Sequence, residues 1–174
     1  MPVTSVPIRQ LLNRVTQGEV RIPAFQRDFV WEPDRVQFLM DSIYKGYPIG
    51  TLLFWRSREQ LQFDRDLGPY ELPEPKEQYP IDYVLDGQQR LTSIFAVFQT
   101  ELKESSDPKV KWVDIYFDME AKEAAQDSQF LALLPEEVDE SKHFPLKIVF
   151  DVTAYGARVR RLTEQQAQVI DDLG

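Results

Sequence analysis

An α+β fold, a mixed sheet with flanking helices in one compact domain, is what this sequence predicts, with α/β as the alternative. Three observations carry it. Apolar residues recur at intervals of three and four in three separate stretches, the spacing of a helix with one buried face. Between and after them lie short bulky runs of strand length, TLLFW, YVL and WVDIYF, several of them bounded by Gly or Pro. At 174 residues, 43% hydrophobic and 28% charged, the chain has the length and composition of a globular domain with a real core.

In chain order, Ile8, Leu11, Leu12 and Val15 make Pro7 to Gln17 a short amphipathic helix closed by Gly18. Glu19 to Ile22 reads as a short strand ended by Pro23. Pro33-Asp34-Arg35 opens a second helix, with Pro in its first turn, Val36, Leu39, Met40 and Ile43 as the buried face, and Lys45-Gly46 as its stop. Thr51 to Trp55 is expected as a strand. Ser57 to Tyr79 is rich in Gly and Pro and is expected to be a loop insertion with room for a small hairpin. Tyr83 to Leu85 is a strand and Gln88 to Leu102 a helix with Leu91, Ile94, Phe95 and Phe98 on its core face. Trp112 to Phe117 and Pro145 to Phe150 are expected as strands, Asp118 to Gln126 as a helical turn or two, and the Gln-rich stretch from Arg161 as the start of a helix.

Composition excludes several chemistries. Without cysteine there is no disulfide and no thiolate, and a single histidine rules out metal sites built from His and Cys. No run approaches the ~20 apolar residues of a membrane span, and the start lacks the pattern of a secretory signal, so a cytoplasmic location is expected. The net charge of −9 argues against a surface that binds nucleic acid everywhere. The first third is nevertheless rich in cations: Arg9, Arg14, Arg21, Arg27, Arg35, Lys45, Arg56 and Arg58. A local basic face on an acidic body is compatible with that distribution.

The stretch IDYVLDGQQRLTS, residues 81–93, holds the chemistry. An apolar run stops at Asp86-Gly87, and Gln88, Gln89 and Arg90 follow before the apolar pattern resumes. Gly87 permits a tight turn and close approach of a ligand. The first N–H groups of the following helix lack internal partners and carry the positive end of its dipole, which suits an anion. Arg90 adds a planar guanidinium matched to phosphate. Gln88 and Gln89 can bond a ligand or orient a water, and Thr92 and Ser93 bring hydroxyls. Asp86 is open to three roles: helix cap, carboxylate for a metal ion, or base toward an attacking water. A purely structural account, with Asp86 as cap and Arg90 in a surface ion pair, covers those two residues without any ligand. A second polar pair, Gln26 and Arg27, lies between aromatics after the first strand, as a phosphate-bearing ligand held from two sides would require.

In this order and spacing, IPAFQRDFVW (22–31), YPIGTLLFW (47–55) and VLDGQQRLTS (84–93) resemble the N-terminal domain family of GmrSD-type, modification-dependent restriction enzymes. The resemblance covers roughly residues 8 to 100, and VDIYFD (113–118) is similar to a strand the family keeps after its long helix. It implies a ParB/sulfiredoxin-like fold over residues 1–160, with 57–80 as an insertion and 161–174 leading toward an effector domain. It further implies a domain that binds and hydrolyses a nucleoside triphosphate (NTP) with Mg2+ and regulates a separate C-terminal nuclease of the HNH type. Some members also sense modified DNA. Carried onto this sequence, Gln26, Arg27, Gly87, Gln88, Gln89, Arg90, Thr92 and Ser93 would bind phosphates. Asp86, Gln88, Gln89 and Arg90 would be catalytic, and Asp86 would hold the Mg2+. The sequence has no Walker-type phosphate loop and no HNH constellation, so no nuclease site is expected within it. The lone His143 is expected to be a surface or packing residue.

Two other readings remain at this level. The same arginines could grip the phosphates of modified DNA without nucleotide turnover, a binding whose mark is steep salt dependence. Alternatively the motif is only a turn in an interaction scaffold, with Phe25, Trp31, Phe54, Trp55, Phe95 and Phe98 as core.

Overall fold

A computed structural model describes residues 3–59, 61–63, 66–74, 80–105, 110–121 and 128–171. Among the described residues, five α-helices and short mixed strands give the α+β class. The chain forms two compact units, residues 1–30 with 50–111 and residues 31–49 with 112–174.

The first unit holds α1 (Ile8–Thr16), β1 (Val20–Arg21), β2 (Leu53–Ser57), β3 (Asp66–Leu67), β4 (Tyr70–Glu71), β5 (Ile81–Asp86) and α3 (Gln88–Phe98), with α2 (Pro33–Tyr44) left to the other unit. Its three-stranded sheet runs β1-β5-β2, parallel between β1 and β5 and antiparallel between β5 and β2. β5 is central, so Ile81, Tyr83 and Val84 are buried, and they continue a core made by Leu11, Leu12 and Val15 of α1 and Leu91, Ile94 and Phe95 of α3. The expected hairpin in the insertion is β3 and β4, turning at Gly68 with φ +61°. Arg21 is fully buried in β1: its guanidinium lies over the Phe63 ring, 5.3 Å from the centroid, and donates to the Pro73 carbonyl. Burial pushes its pKa down, against the opposing pull of Glu74 and Tyr83.

The second unit holds α2, β6 (Ile115–Asp118), β7 (Phe130–Ala132), β8 (His143–Pro145), α4 (Val152–Val159) and α5 (Glu164–Asp171). Its antiparallel sheet has the order β7-β6-β8. Tyr44 of α2 packs edge-on against Phe117 and Phe130. Polar groups on the same helix satisfy the neighbouring chain, since Gln37 Oε1 accepts from Ala132 N at 3.2 Å and Asp41 Oδ1 from Gln129 N at 3.1 Å.

Several expectations are corrected. The strand predicted from Thr51 begins at Leu53, because the backbone at 50–52 is turned by Gly50 at φ +83°. The helix from Gln88 ends at Phe98, where Gln99 becomes extended and its side chain accepts from Leu102 N at 2.9 Å. Pro145 to Phe150 is not a strand: pairing stops at Pro145, and Leu146–Ile148 forms a 3₁₀ turn that buries only Leu146. The helical turn expected over Asp118 to Gln126 starts on the end of β6, and residues 122–127 lie outside the described ones. Phe25 and Trp55, expected in the core, are 70% and 43% exposed, since β2 is an edge strand and Phe25 lies in a loop. His143 is half-buried; its Nδ1 accepts from Asp139 N at 3.0 Å and its ring neighbours Tyr116.

An ion-pair cluster ties the first unit's sheet to α1. Asp82, buried in β5, accepts from its cross-strand neighbour Arg56 through Nε at 2.8 Å and Nη2 at 2.9 Å, and also from Arg14. Arg14 in turn reaches Glu19 at 3.3 Å. The hydrogen bonds and charge of Arg56, joined by Arg14, hold the Asp82 carboxyl below its usual range although burial pushes it up. A folded pKa below the unfolded value of ~3.9 means that the cluster stabilises the fold above that value, and that this contribution is lost as pH falls through the folded one. Asp82→Asn is therefore expected to cost about 1–3 kcal/mol at neutral pH. In urea unfolding the gap between wild type and variant should close in strong acid, and a gap independent of pH would contradict the assignment.

Candidate functional site

The junction of β5 and α3 begins at Gly87, which has φ +88°. A Cβ there would lie 2.5 Å from Leu52 Cδ2 and 3.3 Å from the Thr51 carbonyl, so the position accepts only glycine without displacement. The cap position, a glycine, offers no side-chain hydrogen bond to the start of α3, and the first turn holds no acidic residue. It holds Arg90 instead, a cation at the end of the helix that already carries the dipole's positive charge.

Arg90 is folded back rather than extended. Its Nη2 donates to the Thr51 carbonyl at 2.9 Å and lies 3.4 Å from Asp86 Oδ2. The guanidinium rests on Gly50, where a Cβ would come within 2.1 Å of Nη1. Two left-handed glycines thus form the bed of this arginine. Asp86 is 73% exposed on the rim, and a carboxylate so placed screens the cation weakly.

The two glutamines point away from solvent. Gln88 Nε2 donates to the Arg27 carbonyl at 2.7 Å, and Gln89 Nε2 to the Asp28 carbonyl at 3.1 Å. Gln89 Oε1 accepts from Val30 N at 2.9 Å. Gln26 reaches back, its Nε2 donating to the Leu85 carbonyl at 3.2 Å. Residues 26–30, which form neither helix nor strand, are fastened to the start of α3 by side-chain amides. Arg27 emerges from this segment exposed, its side chain making no hydrogen bond or ion pair among the described residues.

A profile of the GmrSD restriction endonuclease N-terminal domain matches residues 8–171, nearly the whole chain. The chain belongs to this family. The match takes in both compact units, whereas the three motifs that carry the resemblance in the sequence lie before residue 100. Membership makes this a domain of the restriction and defence type. Among curated proteins, the uncharacterised protein MJ0686 of Methanocaldococcus jannaschii is 36% identical over 112 residues. That alignment covers 60% of this chain and 19% of the relative, so the chain spans only a small part of that protein's length. Among the described residues, no helix is long and apolar enough to cross a membrane, and no group of three or more His, Cys, Asp or Glu is arranged to hold a metal ion.

Within this GmrSD domain, the two Gln-Arg segments expected to act together are in direct hydrogen-bonded contact. Gly87 and Arg90 lie at the helix mouth with Arg27 on the adjoining segment. The amides of Gln26, Gln88 and Gln89 are engaged with backbone. Thr92 and Ser93 are buried, with the Ser93 hydroxyl returned to the Gln89 carbonyl at 2.8 Å. Sequence reasoning missed Gly50 and Thr51, which position Arg90; the signal available was the glycine that closes YPIG.

Replacing Gln89 by Leu removes the acceptor for Val30 N and the donor to the Asp28 carbonyl. Leaving such groups unpaired costs about 1–3 kcal/mol. Hydrogen exchange at the Val30 amide should then quicken by about tenfold or more, while amides in the centre of β5 stay protected. Unchanged exchange at Val30 would mean that the amide does not hold this segment.

Proposed function

We propose that the first unit binds a nucleoside triphosphate at the mouth of α3 and hydrolyses it, as the regulatory half of a restriction or defence protein whose nuclease, of the HNH type, is a separate domain. The observation that carries this reading is the positive charge gathered there, which the exposed Asp86 carboxylate offsets only weakly. An uncapped helix N-terminus and the Arg90 guanidinium share one place, with no acid in the first turn. Two like charges so close favour the approach of a further anion.

In this assignment Arg90 and Arg27 contact phosphate oxygens from two sides, and the N–H groups of Gln88 and Gln89 face the same charge. Gln88 and Gln89 act as positioning residues that hold Arg27 in place. The exposed Asp86 carboxylate fits a Mg2+ ion whose other ligands are water and phosphate oxygens, the usual mode for this ion. With an NTP bound, the ion neutralises phosphate charge, and the chain's own cations orient the chain of phosphates for attack by water.

Arg27→Ala is the sharper test, since the side chain is exposed and makes no bond that folding needs. Titration calorimetry with each NTP and Mg2+ should give measurable binding in the wild type, a fall of about tenfold or more in Arg27→Ala, and none in Arg90→Ala, with circular dichroism unchanged. Affinity equal to wild type in both variants would reject the assignment.

One observation favours a second reading, a DNA contact on the same face. Phe25 and Arg27, two residues apart, are both exposed, and an aromatic with a cation is what a protein offers a nucleic-acid strand for stacking and phosphate contact. On that reading the domain binds modified DNA with affinity that falls steeply with salt and without need of NTP.

A further inference from the structure

Beside the segment that carries Arg27, a cleft of about 30 Å³ opens against α3, lined by Asp28, Asp66, Gln88 and Thr92 among polar residues and by Phe29 and Leu67 among apolar ones. A water-sized site needs roughly 10–15 Å³ on the same measure, so there is room for a small ion with a water. Both charged residues lining it are acids, and among the described residues no cation lines it.

Thr92 points to what the cleft holds. It is 1% exposed, and its hydroxyl has no hydrogen-bond partner. A helical Ser or Thr can return its hydroxyl to the carbonyl four residues back, as Ser93 does to Gln89, but Thr92 makes no such bond. Leaving a buried hydroxyl unpaired is costly, and a ligand in the cleft would offset that cost. Gln88 is prepared in the same way. Its Nε2 is committed to the Arg27 carbonyl, which fixes the amide and leaves Oε1 as an uncommitted acceptor. Four oxygen-bearing side chains, two of them carboxylates, thus border one small space.

We propose that this cleft binds a hard divalent cation, Mg2+, Mn2+ or Ca2+, through the carboxylates of Asp28 and Asp66 with Gln88 Oε1, the Thr92 hydroxyl and water completing its shell. Asp66 has another interaction of its own, and a carboxylate with about four lone-pair positions can serve both. The site is distinct from the mouth of α3. Gln88 and Thr92 are one turn apart on the same face, whereas Arg90 lies about 200° around the helix from Gln88. The cation would join the segment carrying Arg27 to the β3–β4 hairpin, and it requires no nucleotide.

The test uses metal-stripped protein without NTP and follows Mn2+ by electron paramagnetic resonance. The wild type should take up one Mn2+ per chain and melt at a higher temperature with it. Loss of an outer-shell partner alone weakens metal sites about 10–100-fold, so Asp28→Asn, which loses a direct ligand on an exposed residue, should weaken uptake by about tenfold or more. Thr92→Val should also weaken it, and without metal should be at least as stable as wild type, because the unpaired hydroxyl is gone. Asp86→Asn should bind as the wild type does. No uptake by the wild type, uptake unchanged in Asp28→Asn, or uptake lost in Asp86→Asn instead would overturn the proposal. None of these outcomes bears on NTP binding at Arg90, which calorimetry reads separately.

Discussion

The candidate site depends on one constraint: residues 26–30 form no regular structure, so their backbone groups must find partners elsewhere. Gln88 and Gln89 supply them. The Arg27 and Asp28 carbonyls require donors and the Val30 N–H requires an acceptor, and a primary amide offers both from one planar group. A carboxylate at position 88 or 89 would face a carbonyl with nothing to donate, and a lysine at 89 would leave Val30 N unpaired. This explains why two glutamines stand where a strand becomes a helix. They determine where Arg27 emerges, and their own backbone N–H groups open the helix mouth.

The electrostatics of that mouth are clearest beside the other helices of the same chain. At α4 the Asp151 carboxylate accepts from Thr153 N and Ala154 N, the ordinary way to satisfy a helix start. At α5, Thr163 and Gln166 bond reciprocally, the Gln166 N–H to the Thr163 hydroxyl and the Thr163 N–H to the Gln166 side chain. At α3 a left-handed glycine occupies the cap position and an arginine sits in the first turn. The chain plainly has the means to cap a helix, and it does not use them here. Helices α1 and α2 also start without a side-chain cap, and Arg9 lies in the first turn of α1, so what sets α3 apart is the left-handed Gly87 at its cap and the Gly50–Thr51 bed that holds Arg90 back.

Much of this was legible in the sequence, for identifiable reasons. The three-four spacing located α1 and α2 because each buries a single face, whereas α3 is buried on nearly every side and was located by the turn before it. DGQQR announced a strand-to-helix turn because Gly87 has a conformation that side chains disfavour. What failed did so where one neighbour overrides local preference. The apolar run from Pro145 suggested a strand, yet only Leu146 finds a core and the backbone coils to reach it. The edge position of β2 left Trp55 in solvent, which no pattern of hydrophobicity announces. α4, short and without a fully buried residue, offers almost no apolar signal. Above all, the sequence suggested that the glutamines face a ligand. Whether an amide turns outward to a substrate or inward to a backbone depends on a segment 61 residues away in the chain, and composition and spacing are silent about that.

The clamp also limits how two ligands could influence each other. Arg27 and Asp28 are consecutive, their carbonyls are held by consecutive glutamines, and of these two exposed residues Asp28 lines the cleft and Arg27 does not. A phosphate drawn to Arg27 and a cation held by Asp28 would therefore act on one short segment through the same two hydrogen bonds. Ordering that segment for one ligand lowers the entropic cost of ordering it for the other. The benefit must be mutual, because a coupling free energy between two binding events has one value whichever comes first. Opposite charges on adjacent residues fit this arrangement, whereas two cations side by side would have let a single anion take both and left α3 with one occupied face.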